Sequence, residues 1–182
     1  MDPRIKAVAT ASMYDMGKAN REGLNHAMGL EDRKEVLKES SENRWKEFQG
    51  EPTAHTNTFP ESLTEEEFNQ LDPVSQEFIV YYSNSERGHH YLGKGAITFN
   101  SKAALMNFTP YTNLDLLAGR PLLIVSGEES HSREFSEDAY AHAYEPKELY
   151  LLPDTSHTDL YDQKDKIPFD KLGDFFKKSL NE

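Results

Sequence analysis

Two short stretches of the chain concentrate residues suited to acid–base chemistry. One is Val125-Ser126-Gly127-Glu128-Glu129-Ser130-His131, the other Leu152-Pro153-Asp154-Thr155-Ser156-His157-Thr158-Asp159. Each continues an apolar run, Pro121 to Ser126 and Lys147 to Leu152, that is bounded by turn residues and reads as a buried strand. The interval from Glu128 to His157 fits one strand–helix–strand unit, which makes the two strands parallel neighbours whose tips are about 5 Å apart. Ligands of open parallel sheets bind at such carboxyl ends. A carboxylate beside an imidazole there selects its tautomer and stabilises the imidazolium, which is the orienting half of a nucleophile–His–acid triad. His157 is thus the candidate general base, Glu128 the first candidate acid, and Glu129 the second.

Other chemistry-bearing residues carry plainer expectations. His89 and His90 are adjacent, a spacing that rarely aims two rings at one ion, and no further ligand is in register, so no metal site is expected. Ser130 beside His131 has the residue types of a nucleophile–base pair, but sequence neighbours seldom reach that geometry. Ser12 stands at a strand end, yet Met13-Tyr14-Asp15-Met16 lacks the glycine of a nucleophile elbow. Trp45, Tyr81, Tyr82 and Tyr111 have the bulk to line an acyl pocket, although ordinary packing is the commoner use of such rings. Glu65, Glu66 and Glu67 read as a solvated helix start. The pattern Gly-x-Ser-x-Gly is absent from the sequence, and so is cysteine, which removes a Cys nucleophile, a Cys-based zinc site and any disulfide framework.

The elements that must position these residues follow from periodicity. Ile5 to Ala11 is apolar on both faces and reads as a strand of a parallel sheet, although it begins only a few residues into the chain. Glu31 to Phe48 is a charged helix with a sparse stripe of Val36, Leu37, Trp45 and Phe48. A polar, proline-containing loop is expected over 51–63. Thr64 with Glu67 forms a capping-box pattern, Pro73 opens a helix to Ser83, and Ser101 to Asn107 forms another. Residues 84–100 read as irregular. Ser136 to Tyr144 reads as a helix with Ser136 as its N-cap. Pro168 to Leu180 closes the chain as an amphipathic helix with Phe169, Leu172, Phe176 and Leu180 on one face. Residues 119–182 therefore run strand, helix, strand, helix, an α/β layer arrangement with parallel pairing. Residues 13–118 read as a mostly helical cap insertion.

Bulk properties narrow the function classes. The 182 residues suffice for one domain, but hydrophobic residues make up only 36% and the mean hydropathy is −0.78, a thin core for the length. The net charge of −12 repels phosphate backbones, so nucleic acid is not an expected partner. No run is long and apolar enough for a membrane span, and the N-terminus lacks the apolar region of a secretory signal. The expected location is the cytoplasm.

Several stretches together resemble a bacterial and fungal branch of the α/β-hydrolase superfamily related to dienelactone hydrolases. They are Asp2 to Gly17, Arg120 to Glu128, Phe135-Ser136-Glu137-Asp138-Ala139-Tyr140 and His157-Thr158-Asp159-Leu160-Tyr161-Asp162, with Ala103 to Phe108 similar to its helical cap. The resemblance covers essentially the whole chain and implies the C-terminal half of such a protein: a partial α/β-hydrolase fold of about three parallel strands (5–11, 121–126, 147–152), flanking helices and a cap. It implies hydrolysis of esters, lactones or related acyl compounds by the intact enzyme, with no cofactor, with His157 as general base, and with a Ser or Cys nucleophile N-terminal to Ile5. The chain order of nucleophile, acid, His agrees with Glu128 preceding His157. The acid of the family falls by loop position near Ser130 or His131, neither a carboxylate, which leaves Glu128 and Glu129 as the nearest substitutes. Such a half is expected to be inactive alone. It is also expected to be marginally stable or oligomeric, because one edge of an apolar strand lacks a neighbour that a second copy or a partner chain can cover. The alternatives are a non-catalytic remnant or binding module of the same fold, and one half of a split enzyme.

Overall fold

In chain order the elements are β1 (Val8–Ala11), α1 (Met16–Glu22), α2 (Leu30–Phe48), α3 (Glu65–Asn69), α4 (Pro73–Tyr82), α5 (Ser101–Met106), β2 (Leu122–Gly127), α6 (Arg133–His142), β3 (Lys147–Leu152), α7 (Asp159–Asp162) and α8 (Phe169–Leu180), with 3-10 turns at Leu24–His26 and Pro110–Leu117. They come from a computed structural model that describes residues 2–56, 59–60, 62–93 and 95–180. Asn57, Thr58 and Glu61 of the loop read over 51–63, and Lys94 of the irregular stretch 84–100, lie outside the described residues. The chain divides into two compact units, Met1–Asp15 with Thr109–Glu182, and Met16–Phe108.

The first unit is built on a three-stranded parallel sheet in the order β1-β2-β3. Register pairs Val8 with Leu122 through Ala11 with Val125, and Leu122 with Lys147 through Gly127 with Leu152. β2 is the central strand, buried at every position, and it feeds both faces as strand periodicity requires. Leu122 and Ile124 pack with Leu117, Ala139 and Ala143, while Leu123 and Val125 pack with Leu160, Leu172 and Phe175. A strand covered on both sides needs the near-continuous apolar run seen in the sequence.

The edges of the elements depart from the sequence expectations in three places. β1 begins at Val8 rather than Ile5, which is 42% exposed. The Asp2 carbonyl accepts from Ile5 N at 3.3 Å, and the Arg4 guanidinium pairs with the Asp2 carboxylate at 2.6 Å, so the first residues curl into a turn instead of extending along β2. α6 begins at Arg133 after Ser132, not at Ser136. Ser136 lies inside the helix, fully buried, and its Oγ has no hydrogen-bond partner among the described residues. The turn at Ser130–Ser132, closed by Arg133 N donating to Ser130 O at 3.0 Å, starts the helix early. In α8 the packing face is Leu172 and Phe175, whereas Phe169, Phe176 and Leu180 are exposed.

The second unit is helical. Thr64 caps α3 reciprocally with Glu67, whose carboxylate accepts from Thr64 N at 2.8 Å while Thr64 Oγ1 accepts from Glu67 N at 3.2 Å. Those bonds hold the Glu67 carboxyl below its ordinary pKa. Asp72 caps α4 by accepting from Val74 N and Ser75 N at 3.0 and 3.1 Å, with Pro73 in the first turn. Gly17 of α1 lies so close to the Phe108 carbonyl that a Cβ there would stand 1.8 Å from the oxygen. Arg21 secures the same segment by donating to Met106 O and Phe108 O at 3.0 and 2.8 Å. Trp45 stacks on Phe48, ring centroids 5.4 Å apart, and both are exposed, so the sparse stripe of α2 is not a buried seam at that end.

Candidate active site

The exits of β2 and β3 are level, because Gly127 pairs with Leu152. Beyond that pair the two loops are laced together through the backbone: Glu128 N donates to Leu152 O at 2.8 Å and Glu129 N to Thr155 O at 3.1 Å. Gly127 makes the lacing possible. A Cβ at this position would stand 1.9 Å from Thr155 O and 2.6 Å from Thr155 C, both backbone atoms. The β3 exit then bends at Asp154, whose φ is +47°, a conformation that Asp tolerates better than most side chains. Ser156 N donates to Asp159 Oδ2 at 2.9 Å and thereby starts α7. This path turns Thr155, His157 and Thr158 inward, and His157 is 1% exposed.

Hydroxyl groups from three segments hold His157. Ser12, directly after β1, donates from Oγ to the His157 carbonyl at 2.7 Å. Ser132, at the start of α6, places its Oγ 2.6 Å from Nδ1, and Ser130 Oγ lies 3.0 Å from Ser132 Oγ. Tyr161, one turn further along α7, places its hydroxyl 2.6 Å from Nε2. Hydroxyls donate and accept, so each contact is satisfied in either imidazole tautomer. Aromatic rings close the surroundings: Tyr14 stands edge-on at 5.9 Å, His131 lies at 4.6 Å, and Tyr14 also packs edge-on against Phe135 at 4.9 Å. Burial pushes the Tyr14 phenol above its ordinary pKa, with the Glu134 carboxylate adding to the shift. The Tyr111 phenol is raised as well, first by burial and then by Asp15, Asp138 and Glu134, while its hydroxyl donates to Phe135 O at 2.8 Å.

The candidates named from sequence are distributed unevenly. His157 sits at the tip of β3, beside the loop that leaves β2. Glu128 and Glu129 are in that loop, but their backbone N–H groups face the His157 loop, while both residues are exposed. The group at Nδ1 is Ser132. Ser130 and His131 both join the cluster, Ser130 through Ser132 and His131 through ring contact. Ser12 has φ +45° at the end of a strand and just before a helix, yet its Oγ is engaged by the His157 backbone. Tyr111 packs against the sheet core. Tyr81 and Tyr82 form an aromatic group with Phe59 and Phe78 in the second unit, where His89 and His90 also lie. No group of three or more potential metal ligands occurs among the described residues.

Ser132 and Tyr161 are the functional candidates that sequence reasoning missed. Tyr161 had a usable signal, since it follows His157 by four residues in a segment that opens a helix. Ser132 had none, because its approach to His157 depends on the lacing of two loops.

No family model matches the chain. The uncharacterized protein PA2218 of Pseudomonas aeruginosa is 37% identical over 186 residues, which cover 99% of this chain and 48% of PA2218. The crystal structure of PA2218 superposes with a TM-score of 0.88 at 36% identity, covering 98% of this chain and 55% of that one. The α/β hydrolase GrgF of Penicillium sp. sh18 superposes with a TM-score of 0.67 at 16% identity, covering 100% of this chain and 58% of GrgF. This is a partial α/β-hydrolase fold. DcsB, solved with a substrate analogue, shares that fold at a TM-score of 0.69 and 15% identity, over 98% of this chain and 58% of its own. The uncharacterized protein YcjY of Escherichia coli is 24% identical over 182 residues, 98% of this chain and 58% of YcjY. The chain thus spans about half the length of the curated relatives it matches. In the hydrolase fold described here, three strand tips converge on one imidazole. No helix among the described residues is long and apolar enough to cross a membrane.

Proposed function

We propose that this chain is the histidine-bearing half of an α/β hydrolase acting on ester, lactone or related acyl bonds, with the nucleophile and oxyanion donors supplied by residues outside it. The observation that carries the reading is His157, buried at a strand tip with Nδ1 anchored 2.6 Å from Ser132 Oγ. An imidazole fixed through Nδ1 offers Nε2 as the base: it takes the proton of an attacking hydroxyl or thiol and returns it to the leaving alkoxide. That chemistry calls for no cofactor. The loop after β2 supplies the orienting group. Ser132 is the nearest member; the carboxylates of Glu128 and Glu129 in the same loop are exposed, and Glu128, then Glu129, completes a triad only by turning inward in the assembled enzyme. Partners in this reading are a small acyl substrate and the polypeptide that covers the free edge of β1.

A second reading is a non-catalytic module of the same fold. It is favoured by the hydroxyls on both ring nitrogens, since a serine aligns an imidazole but stabilises its charged form less than a carboxylate does. One experiment separates the two. The chain is co-expressed with the portion of PA2218 that it does not match, and the purified complex is assayed with p-nitrophenyl butyrate. The hydrolase reading expects turnover that falls by about 10³-fold or more in His157→Ala. A stable complex without turnover favours the module, and turnover that survives His157→Ala sinks the role of His157.

A further inference from the structure

Tyr161 occupies the position from which Nε2 of His157 would take a proton. Its hydroxyl is 2.6 Å from that nitrogen, and the two rings meet edge-on with centroids 5.1 Å apart. The imidazole is fixed on its other sides: Ser132 holds Nδ1, Ser130 backs Ser132, and Ser12 holds the His157 carbonyl. The base is therefore buried and immobilised, whereas Tyr161 is 39% exposed. A buried, oriented base in hydrogen-bond contact with the hydroxyl of a partly exposed side chain is the arrangement of an activated nucleophile.

We infer that Tyr161 is a His157-activated phenol that accepts an acyl group from small activated esters. A phenol with a pKa of about 10 is only ~0.1% ionised at neutral pH, so an ordinary exposed tyrosine reacts slowly. A base in place removes the proton as the new bond forms, which accelerates such a step by about 10²–10⁴-fold. In the step, Tyr161 Oη attacks the carbonyl carbon of the ester and its proton passes to Nε2. The tetrahedral adduct then collapses, the bond from carbon to the leaving oxygen breaks, and the leaving group departs with the electron pair. The imidazolium gives up its proton to the leaving oxygen or to water. The product is an acyl ester of Tyr161 and one equivalent of alcohol or phenol, and no further reactant is required.

This site lies wholly within the chain and needs no nucleophile from elsewhere. His157 and Ser132 belong to the proposed hydrolase as well, but this step is read in the chain alone, so its failure there leaves the reading tested in the complemented complex untouched. It also differs from a packing role for Tyr161, in which reactivity follows exposure. Tyr144, 57% exposed and in the same unit, would then react ahead of Tyr161.

The test treats the whole 182-residue chain with p-nitrophenyl acetate and follows O-acetylation of each tyrosine over time by peptide mass mapping. Tyr161 is expected to be acetylated at least about tenfold faster than Tyr144. In His157→Gln, whose amide can still bond the phenol but cannot take its proton, Tyr161 is expected to fall to the rate of Tyr144. In Ser132→Ala it is expected to slow while Tyr144 is unchanged. Acetylation of Tyr161 no faster than Tyr144 in the unsubstituted chain overturns the inference, and that comparison needs no variant to fold. A Tyr161 rate that is unchanged in a folded His157→Gln overturns it equally.

Discussion

Replacing Gly127 by alanine tests whether the lacing of two loops places the imidazole. The added Cβ would stand 1.9 Å from Thr155 O, 2.6 Å from Thr155 C and 3.0 Å from Ser156 O. Favourable contact distances for carbon are about 3.5 Å, so the Thr155 segment must retreat by more than about 1 Å. All three atoms are main chain, and no rotamer change relieves the clash. The retreat breaks the bond from Glu129 N to Thr155 O, now 3.1 Å, and carries His157, two residues on, away from Ser132. Overpacking costs about 1–3 kcal/mol, and the lost hydrogen bond adds about 0.5–1.5 kcal/mol. The expected destabilisation is therefore about 1.5–4.5 kcal/mol, read from urea denaturation midpoints by circular dichroism. The imidazole 15N resonances of His157 should shift in the same variant. Unfolding free energy within about 0.5 kcal/mol of the parent, with those resonances unmoved, would refute the idea that this glycine sets the histidine.

Two further expectations follow from the packing. Tyr111 is raised above its ordinary pKa in the fold, so the native state keeps the phenolic proton while the unfolded chain loses it from about pH 10 upward; stability should be level below that range and decline above it, and Tyr111→Phe should make the decline shallower in pH-dependent melts. β1 pairs with β2 alone among the described strands, so the isolated chain should self-associate or melt at a temperature that rises with concentration, which sedimentation at several concentrations checks; a concentration-independent monomer with a high, cooperative melt counts against an open apolar edge.

The strand–helix–strand–helix order of residues 119–182 was legible in the sequence because each element is written in a local window. The run Leu122 to Val125 is apolar on both faces, Thr64 and Glu67 are spaced for mutual capping, and Pro73 marks a first turn; propensity and period decide such features within a few residues. The position of His157 was legible for the same reason, as the residue type and its place just beyond a strand tip are both local. What the imidazole touches was not. Ser132 is 25 residues away and Ser12 is 145 away, and both meet it because the parallel register brings the same ends of three strands together. The glutamates nearest in loop position present backbone N–H groups to the His157 loop and carboxylates to water, an outcome set by which way a laced loop turns. Composition and period thus determined the α/β layers and the general place of the histidine, while tertiary structure alone chose hydroxyls as its partners, because hydrogen bonds between loops depend on distances that no local window encodes.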